Sequence, residues 1–340
     1  MSSAVSTKRD ILLRLEEIIY IDNCGILSSW GRDEDTLDCC NWDGVSCNIM
    51  SSGSTLAALT IIPRFCLEGG SSPYLFELSH LESLDLSFNH FQGQTIPSFL
   101  GYLTNLRHLK LSNAAFVGEI PSQLGNLSNL ISLDLSYNSG IYAENLSWVS
   151  RLTSLTEIDL SGSDLSKAAD WVEIVSKLPV LRVLTLDDCK LSWTKPSSFF
   201  NYSNSLHIIK LSGNGFSDSS IFQWFFNTCN ISENHNPSTS LNVQLDLSNN
   251  HLQGSIPSEF GNLHSVSCLN LSNNQLEGFI PKEFGYMKAL SHLDLSSNLL
   301  KGGVPSAFAT MDSLPYLHLS NRDVIGAEQW WIYPAPASTK

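Results

Sequence analysis

The feature that most restricts how this chain can fold is a nine-position pattern, L-x-x-L-x-L-x-x-N, that returns along most of its 340 residues. It is complete at Leu81, Leu84, Leu86 and Asn89, and again at Leu290, Leu293, Leu295 and Asn298. First positions of successive copies fall at Leu56, Leu81, Leu106, Leu130, Leu155, Leu181, Leu206, Asn242, Val266, Leu290 and Leu314. The steps are 24 to 26 residues, except for 36 between Leu206 and Asn242. That longer step holds an insertion near 225–240, with Asn230, Pro237 and several small polar residues, which reads as a surface loop. Self-similarity at such a period means that each copy is one supersecondary unit, unable to bury its apolar face alone.

Strand geometry turns the pattern into an architecture. Alternation places Leu84 and Leu86 inward while Ser83, Asp85 and Ser87 face solvent. Stacking about eleven copies builds an α/β solenoid, a leucine-rich-repeat superhelix with a parallel sheet on its concave wall and 3₁₀ or irregular segments on its convex side. The organisation read from the chain is a cysteine-bearing N-terminal segment at 1–55, the repeats at 56–321 and a non-repeat tail at 322–340. An inward Asn at the ninth position can bond backbone groups where the chain leaves the strand, and Asn89, Asn138, Asn214, Asn250, Asn274 and Asn298 stand there. Cys189 fills the same slot, whereas Ala114, Ser163 and Arg322 depart from it and predict weaker turns. Most copies continue through Gly and Ile-Pro, as in Gly118, Ile120 and Pro121. Pro there suits the start of a short 3₁₀ segment. Between Asn138 and Asn214 this half is replaced by a block carrying Trp148, Trp171 and Trp193.

Charge and motif content exclude several functions. With 19 Lys plus Arg against 33 Asp plus Glu, the net charge is −14, which opposes nucleic acid and anionic membrane surfaces as partners. No catalytic signature, phosphate-binding loop or metal-ligand spacing is present, so no enzyme, metal or cofactor is expected. The opening MSSAVSTKRD and the Arg14, Glu16 and Glu17 that follow do not make the apolar stretch of a signal peptide. No apolar run of about 18 residues occurs, so membrane attachment would require a span that this chain does not contain.

The L-x-G-x-I-P continuation resembles the plant-specific class of leucine-rich repeats found in receptor-like proteins, receptor kinases and polygalacturonase-inhibiting proteins. Lys8 to Glu17, then Leu27-Ser28-Ser29-Trp30 and Cys39-Cys40-Asn41-Trp42-Asp43-Gly44-Val45-Ser46-Cys47, look like that family's N-terminal cap. The blocks Glu144–Leu155 and Leu165–Leu181 are similar to receptor-like proteins of the fungal-xylanase-sensing group. The resemblance implies a helix near Arg9 to Tyr20 covering the open end of the first repeat. It also implies a Cys40–Cys47 disulfide, whereas the family's upstream partner of Cys39 would stand near Ser6 or Thr7, where there is no Cys, leaving Cys24 as a substitute. The functional expectation is a non-enzymatic ligand-binding ectodomain that takes a protein or peptide ligand in pathogen or elicitor perception. Such a receptor signals through a co-receptor kinase from the extracellular side of the plasma membrane, and a chain of this organisation is expected to be part of a longer receptor. The alternative is a soluble apoplastic inhibitor of microbial polygalacturonase-type enzymes.

Candidate ligand residues follow from the concave column between the inner leucines. It contains Asp85, Lys110, Asp134, Asp159, Lys210, Asp246, Asn270 and Asp294, flanked by Phe88, Tyr137, Tyr316, Asp187 and Asp188. Its acids either recognise cationic or polyhydroxyl partners or are simply the usual filler of an L-D-L-S string. Sequons at Asn126, Asn145, Asn201, Asn230 and Asn270 make these residues candidates for glycosylation.

Overall fold

The computed structural model describes residues 19–22, 45–50, 53–60, 67–69, 81–91, 93–193, 206–229, 242–311, 314–320 and 323–325. The chain divides into two compact units, Met1–Leu181 and Arg182–Lys340.

In the first unit, strands β1 (Ile19–Asp22), β2 (Val45–Met50), β3 (Gly53–Thr60) and β4 (Leu67–Gly69) precede the regular coils. β2 and β3 form an antiparallel hairpin. From β3 onward pairing is parallel, through β5 (Ser83–Asp85), β6 (His108–Lys110), β8 (Ser132–Asp134) and β10 (Glu157–Asp159). Each of these coil strands is three residues long, because only the centre of L-x-L alternates before the ninth residue turns the chain. Leu84, Leu109 and Leu133 are buried beneath them. Each buried leucine contributes about 1.5–3 kcal/mol. A second pairing occurs on the same coils: β7 (Val117–Glu119) and β9 (Gly140–Tyr142) are parallel, extended by bridges Thr95 to Val117 and Tyr142 to Asp164.

The second unit repeats the plan. β11 (Val183–Thr185), β12 (Ile208–Lys210), β13 (Val243–Asp246), β15 (Val266–Asn270), β17 (His292–Asp294) and β19 (Tyr316–His318) pair in parallel. β14 (Gln253–Ser255), β16 (Gln275–Phe279), β18 (Leu299–Gly303) and β20 (Asp323–Ile325) make a second parallel sheet. Here Gly254, Gly278 and Gly302 take φ of 84, 82 and 87°, which a side chain rarely permits. Phe260, Phe284 and Phe308 form an aromatic row on successive 3₁₀ segments, with ring centroids 5.9 and 6.5 Å apart.

The proline reading is realised: Pro97, Pro121, Pro257, Pro281 and Pro305 cap five-residue 3₁₀ helices, with φ from −69 to −56°. So is the asparagine ladder. Asn138 donates from Nδ2 to the carbonyls of Leu111 and Leu135 at 2.8 and 2.9 Å. Its Oδ1 accepts from the Ala114 and Phe116 amides at 3.0 and 3.1 Å, tying one coil to the next. Asn214 does the same for Leu186, Leu211, Cys189 and Leu191.

At Ala114, which lacks the asparagine amide, the Ala114 carbonyl accepts the Phe91 amide at 3.0 Å and Ala115 turns to φ 58°. Two expectations need correction. The insertion does not begin as a loop, since Ile221–Cys229 is an α-helix burying Ile221, Phe222, Trp224 and Phe225. Spacing of i, i+1, i+3 and i+4 puts those four on one face, and that apolar stripe outweighs the loop reading. The cap helix does not reach Tyr20, because Ile19–Asp22 is a strand antiparallel to β4, as befits Ile, Tyr and Ile in succession. Beside the 3₁₀ segments, the coils also pair in parallel outside the concave strands, through the second sheets. Residues 9–18, Cys24, Cys39, Cys40 and the side chain of Cys47 lie outside the described residues, as do Asn201, Asn230 and the tail beyond Ile325.

Candidate ligand surface

Position five of each coil is the last residue of its concave strand, so register alone aligns the candidate column. In the first unit Asp85, Lys110, Asp134 and Asp159 are consecutive partners on β5, β6, β8 and β10. In the second, Thr185, Lys210, Asp246, Asn270, Asp294 and His318 are partners on β11, β12, β13, β15, β17 and β19. Both lysines are exposed and the acids are half-buried.

Half-burial of the acids has a local cause. Asp85, Asp134, Asp159, Asp246 and Asp294 each accept through Oδ1 the backbone amide two residues on, from Ser87, Ser136, Ser161, Ser248 and Ser296, at 2.9 to 3.0 Å. Asp134 and Asp294 also take the serine hydroxyl, at 2.7 and 2.6 Å. One carboxylate oxygen of each is thereby committed to the turn that ends its strand. Asp187 bonds instead to the Ser212 amide on the next coil at 2.7 Å. The D-x-S spacing of each copy carries this signal in the sequence. The acidic column is therefore first a fold element, with its second oxygens left for other partners: Asp246 Oδ2 accepts from Asn270 Nδ2 at 3.2 Å, and Asp294 Oδ2 meets His318 Nδ1 at 3.1 Å.

The second unit carries a further cluster on its own concave strands. The His292 ring stacks on Tyr316 with centroids 5.5 Å apart, beside Cys268 in register. Burial, seconded by the Asp246 carboxylate, pushes the Cys268 thiol above the ordinary range, against a weaker opposing pull from Lys210. Among the described residues no three His, Cys, Asp or Glu side chains come together to hold a metal ion.

Tyr137 and Asp188 stand elsewhere, at position eight, where the backbone is left-handed (φ 55 and 54°). Both are exposed, as is Phe88 at the same position. The sequons differ in access. Asn126 and Asn145 are exposed, while Asn270 is half-buried on β15, with its amide nitrogen bonded to Asp246 and its oxygen to Ser272.

Comparison with known proteins agrees with this geometry. A model of the leucine-rich-repeat N-terminal domain matches residues 8–48, and leucine-rich-repeat models match 80–103, 105–127, 243–300 and 269–324. The chain belongs to the leucine-rich-repeat proteins. Its curated relatives are plant receptor-like proteins. It is 35% identical over 271 residues to receptor-like protein EIX1 of Solanum lycopersicum, covering 75% of this chain and 25% of that one. To receptor-like protein EIX2 of the same species it is 36% identical over 277 residues, covering 78% and 26%. The chain thus spans about a quarter of the length of these relatives. Among solved structures it superposes with a TM-score of 0.74 and 28% identity on the ectodomain of the plant membrane receptor kinase GASSHO1/SCHENGEN3 from Arabidopsis thaliana, over 93% of this chain and 35% of that one. That ectodomain was solved in complex with Casparian strip integrity factor 2.

Proposed function

We propose that this chain is a non-enzymatic, ligand-binding ectodomain segment of a plant receptor-like protein that perceives a protein or peptide elicitor. It acts on the extracellular side of the plasma membrane and signals in defence through a partner kinase. The observation that carries the reading is the 35–36% identity to two receptor-like proteins across three quarters of the chain. The concave wall supports it, being an extended surface of the kind that stacked repeats present to macromolecular ligands. No helix among the described residues is long and apolar enough to cross a membrane.

The test is an exchange. This chain replaces the matching segment of EIX1, and the oxidative burst of leaf tissue to fungal culture filtrate is measured, together with co-purification of a kinase. The reading predicts a burst that depends on the inserted segment. A secreted, folded chain that inhibits microbial polygalacturonase and supports no burst would replace it with the inhibitor reading.

A further inference from the structure

Position eight is left-handed in every described coil, and its occupants differ in how well they tolerate it. In the first unit they are Phe88 (φ 57°), Asn113 (51°), Tyr137 (55°) and Gly162 (77°); in the second they are Asp188, Gly213, Asn249, Asn273 and Ser297. Glycine, asparagine and aspartate visit this region readily, whereas a bulky aromatic there is an outlier. Neither aromatic is core: Phe88 is 44% and Tyr137 58% exposed. A disfavoured backbone carrying an exposed ring points toward a ligand rather than toward packing.

The residue between them supplies a second, independent sign. Asn113 makes no side-chain hydrogen bond to any described residue. Its counterparts in the second unit are engaged: Asn249 donates to Ser212 Oγ at 3.1 Å and Asn273 to Asn249 Oδ1 at 2.8 Å. An amide with free donors thus stands between two outward rings.

Their spacing selects the partner. β5, β6 and β8 are direct neighbours, so Phe88, Asn113 and Tyr137 sit on three successive coils. At about 4.8 Å per strand the two rings are rooted about 9.6 Å apart. A polyproline II helix repeats every three residues at about 3.1 Å each, or about 9.3 Å per turn, and leaves its carbonyls without internal partners. The i to i+3 repeat of such a segment matches the spacing of the two ring roots, and Asn113 between them offers an amide to a carbonyl of the intervening turn. Beside Tyr137, Gly162 has no side chain, and an added Cβ would lie 3.5 to 3.9 Å from the tyrosine.

We propose that Phe88, Asn113 and Tyr137 form a cradle for a proline-rich peptide segment in the polyproline II conformation, with prolines three residues apart on the two rings. This deepens the receptor reading above and rests on it. A β-linked glycan lying on the rings would need a dense set of hydroxyl-directed groups. The nearby acids already commit one oxygen each to turns, which favours the peptide.

The experiment titrates the 340-residue chain with decaproline, with a glycine-serine decapeptide and with cellohexaose, by calorimetry. Saturable binding of decaproline is expected. It should weaken at least tenfold in Phe88→Gly and in Tyr137→Gly and about fivefold in Asn113→Ala, while the glycine variants melt no lower than the parent. Decaproline bound no better than glycine-serine peptide, or binding that survives the double glycine variant, overturns the cradle. So does binding of cellohexaose in its place, which assigns the rings to a glycan. An elicitor burst that persists in the double variant removes the cradle alone and leaves the receptor reading standing, whereas loss of the burst in the unmodified exchange receptor strikes the reading beneath it.

Discussion

Asn138 shows how much of this fold rests on single side chains. It is fully buried, donates to carbonyls on two coils and accepts two amides of the preceding one. In Asn138→Ala those amides and carbonyls stay buried and lose their partner, a cost of about 2–4 kcal/mol. The urea midpoint should fall accordingly, and an unchanged midpoint would mean that backbone groups reorganise as they do at Ala114. The acids of the concave column illustrate where residue type misleads. Read as letters, Asp85 to Asp294 form a charged stripe fit for a ligand, yet each carboxylate turns back onto the amide two residues on. That use was legible in the D-x-S spacing. The left-handed backbone under Phe88 and Tyr137 was not, because it is imposed by the turn that every coil shares and not by the residue that occupies it. Cys268 carries a pH prediction. Burial and the Asp246 carboxylate disfavour the thiolate and raise the thiol's pKa, so at any given pH near 8 less thiolate is present than for a free cysteine. Alkylation by iodoacetamide followed by mass spectrometry should therefore be slower at Cys268 than at free cysteine, and Asp246→Asn should quicken it.

At the scale of elements, the parts written by strong periodicity were legible and those written by inheritance were not. The concave strands follow from L-x-L, and the 3₁₀ segments follow from Ile-Pro. The second sheets have no alternating pattern of their own. Gln253–Ser255 and Gln275–Phe279 pair because the first sheet has already set the coil spacing and Gly254 and Gly278 permit the bend. Helix Ile221–Cys229 did announce itself through its aromatic face, although the long step around it suggested a loop. The 3₁₀ helices of successive coils pack closely. A Cβ on Gly261 would lie 2.6 Å from the Glu283 carbonyl oxygen, a backbone atom that can yield only by moving its coil. Gly261→Ala should thus destabilise by about 1–3 kcal/mol. Hydrogen exchange should quicken first in Ser258–Asn262 and Lys282–Tyr286, and unaltered exchange there would show that the coils slide apart freely.

At the scale of the whole molecule, the chain is a leucine-rich-repeat protein with a net charge of −14. Stability in such a protein is close to a sum of repeat and neighbour terms, so a surface residue can change without cost to distant coils. That separation lets fold and recognition be told apart experimentally. The most direct measurement is the filtrate-triggered oxidative burst of the EIX1 exchange receptor, compared between the parent, Asp134→Ala and Tyr137→Gly at equal amounts of folded protein. A burst in the parent, kept in Asp134→Ala because that carboxylate holds a turn, and lost in Tyr137→Gly because that ring meets the ligand, is the result this account predicts. A parent that gives no burst, or a Tyr137→Gly receptor that responds as the parent does, would contradict it.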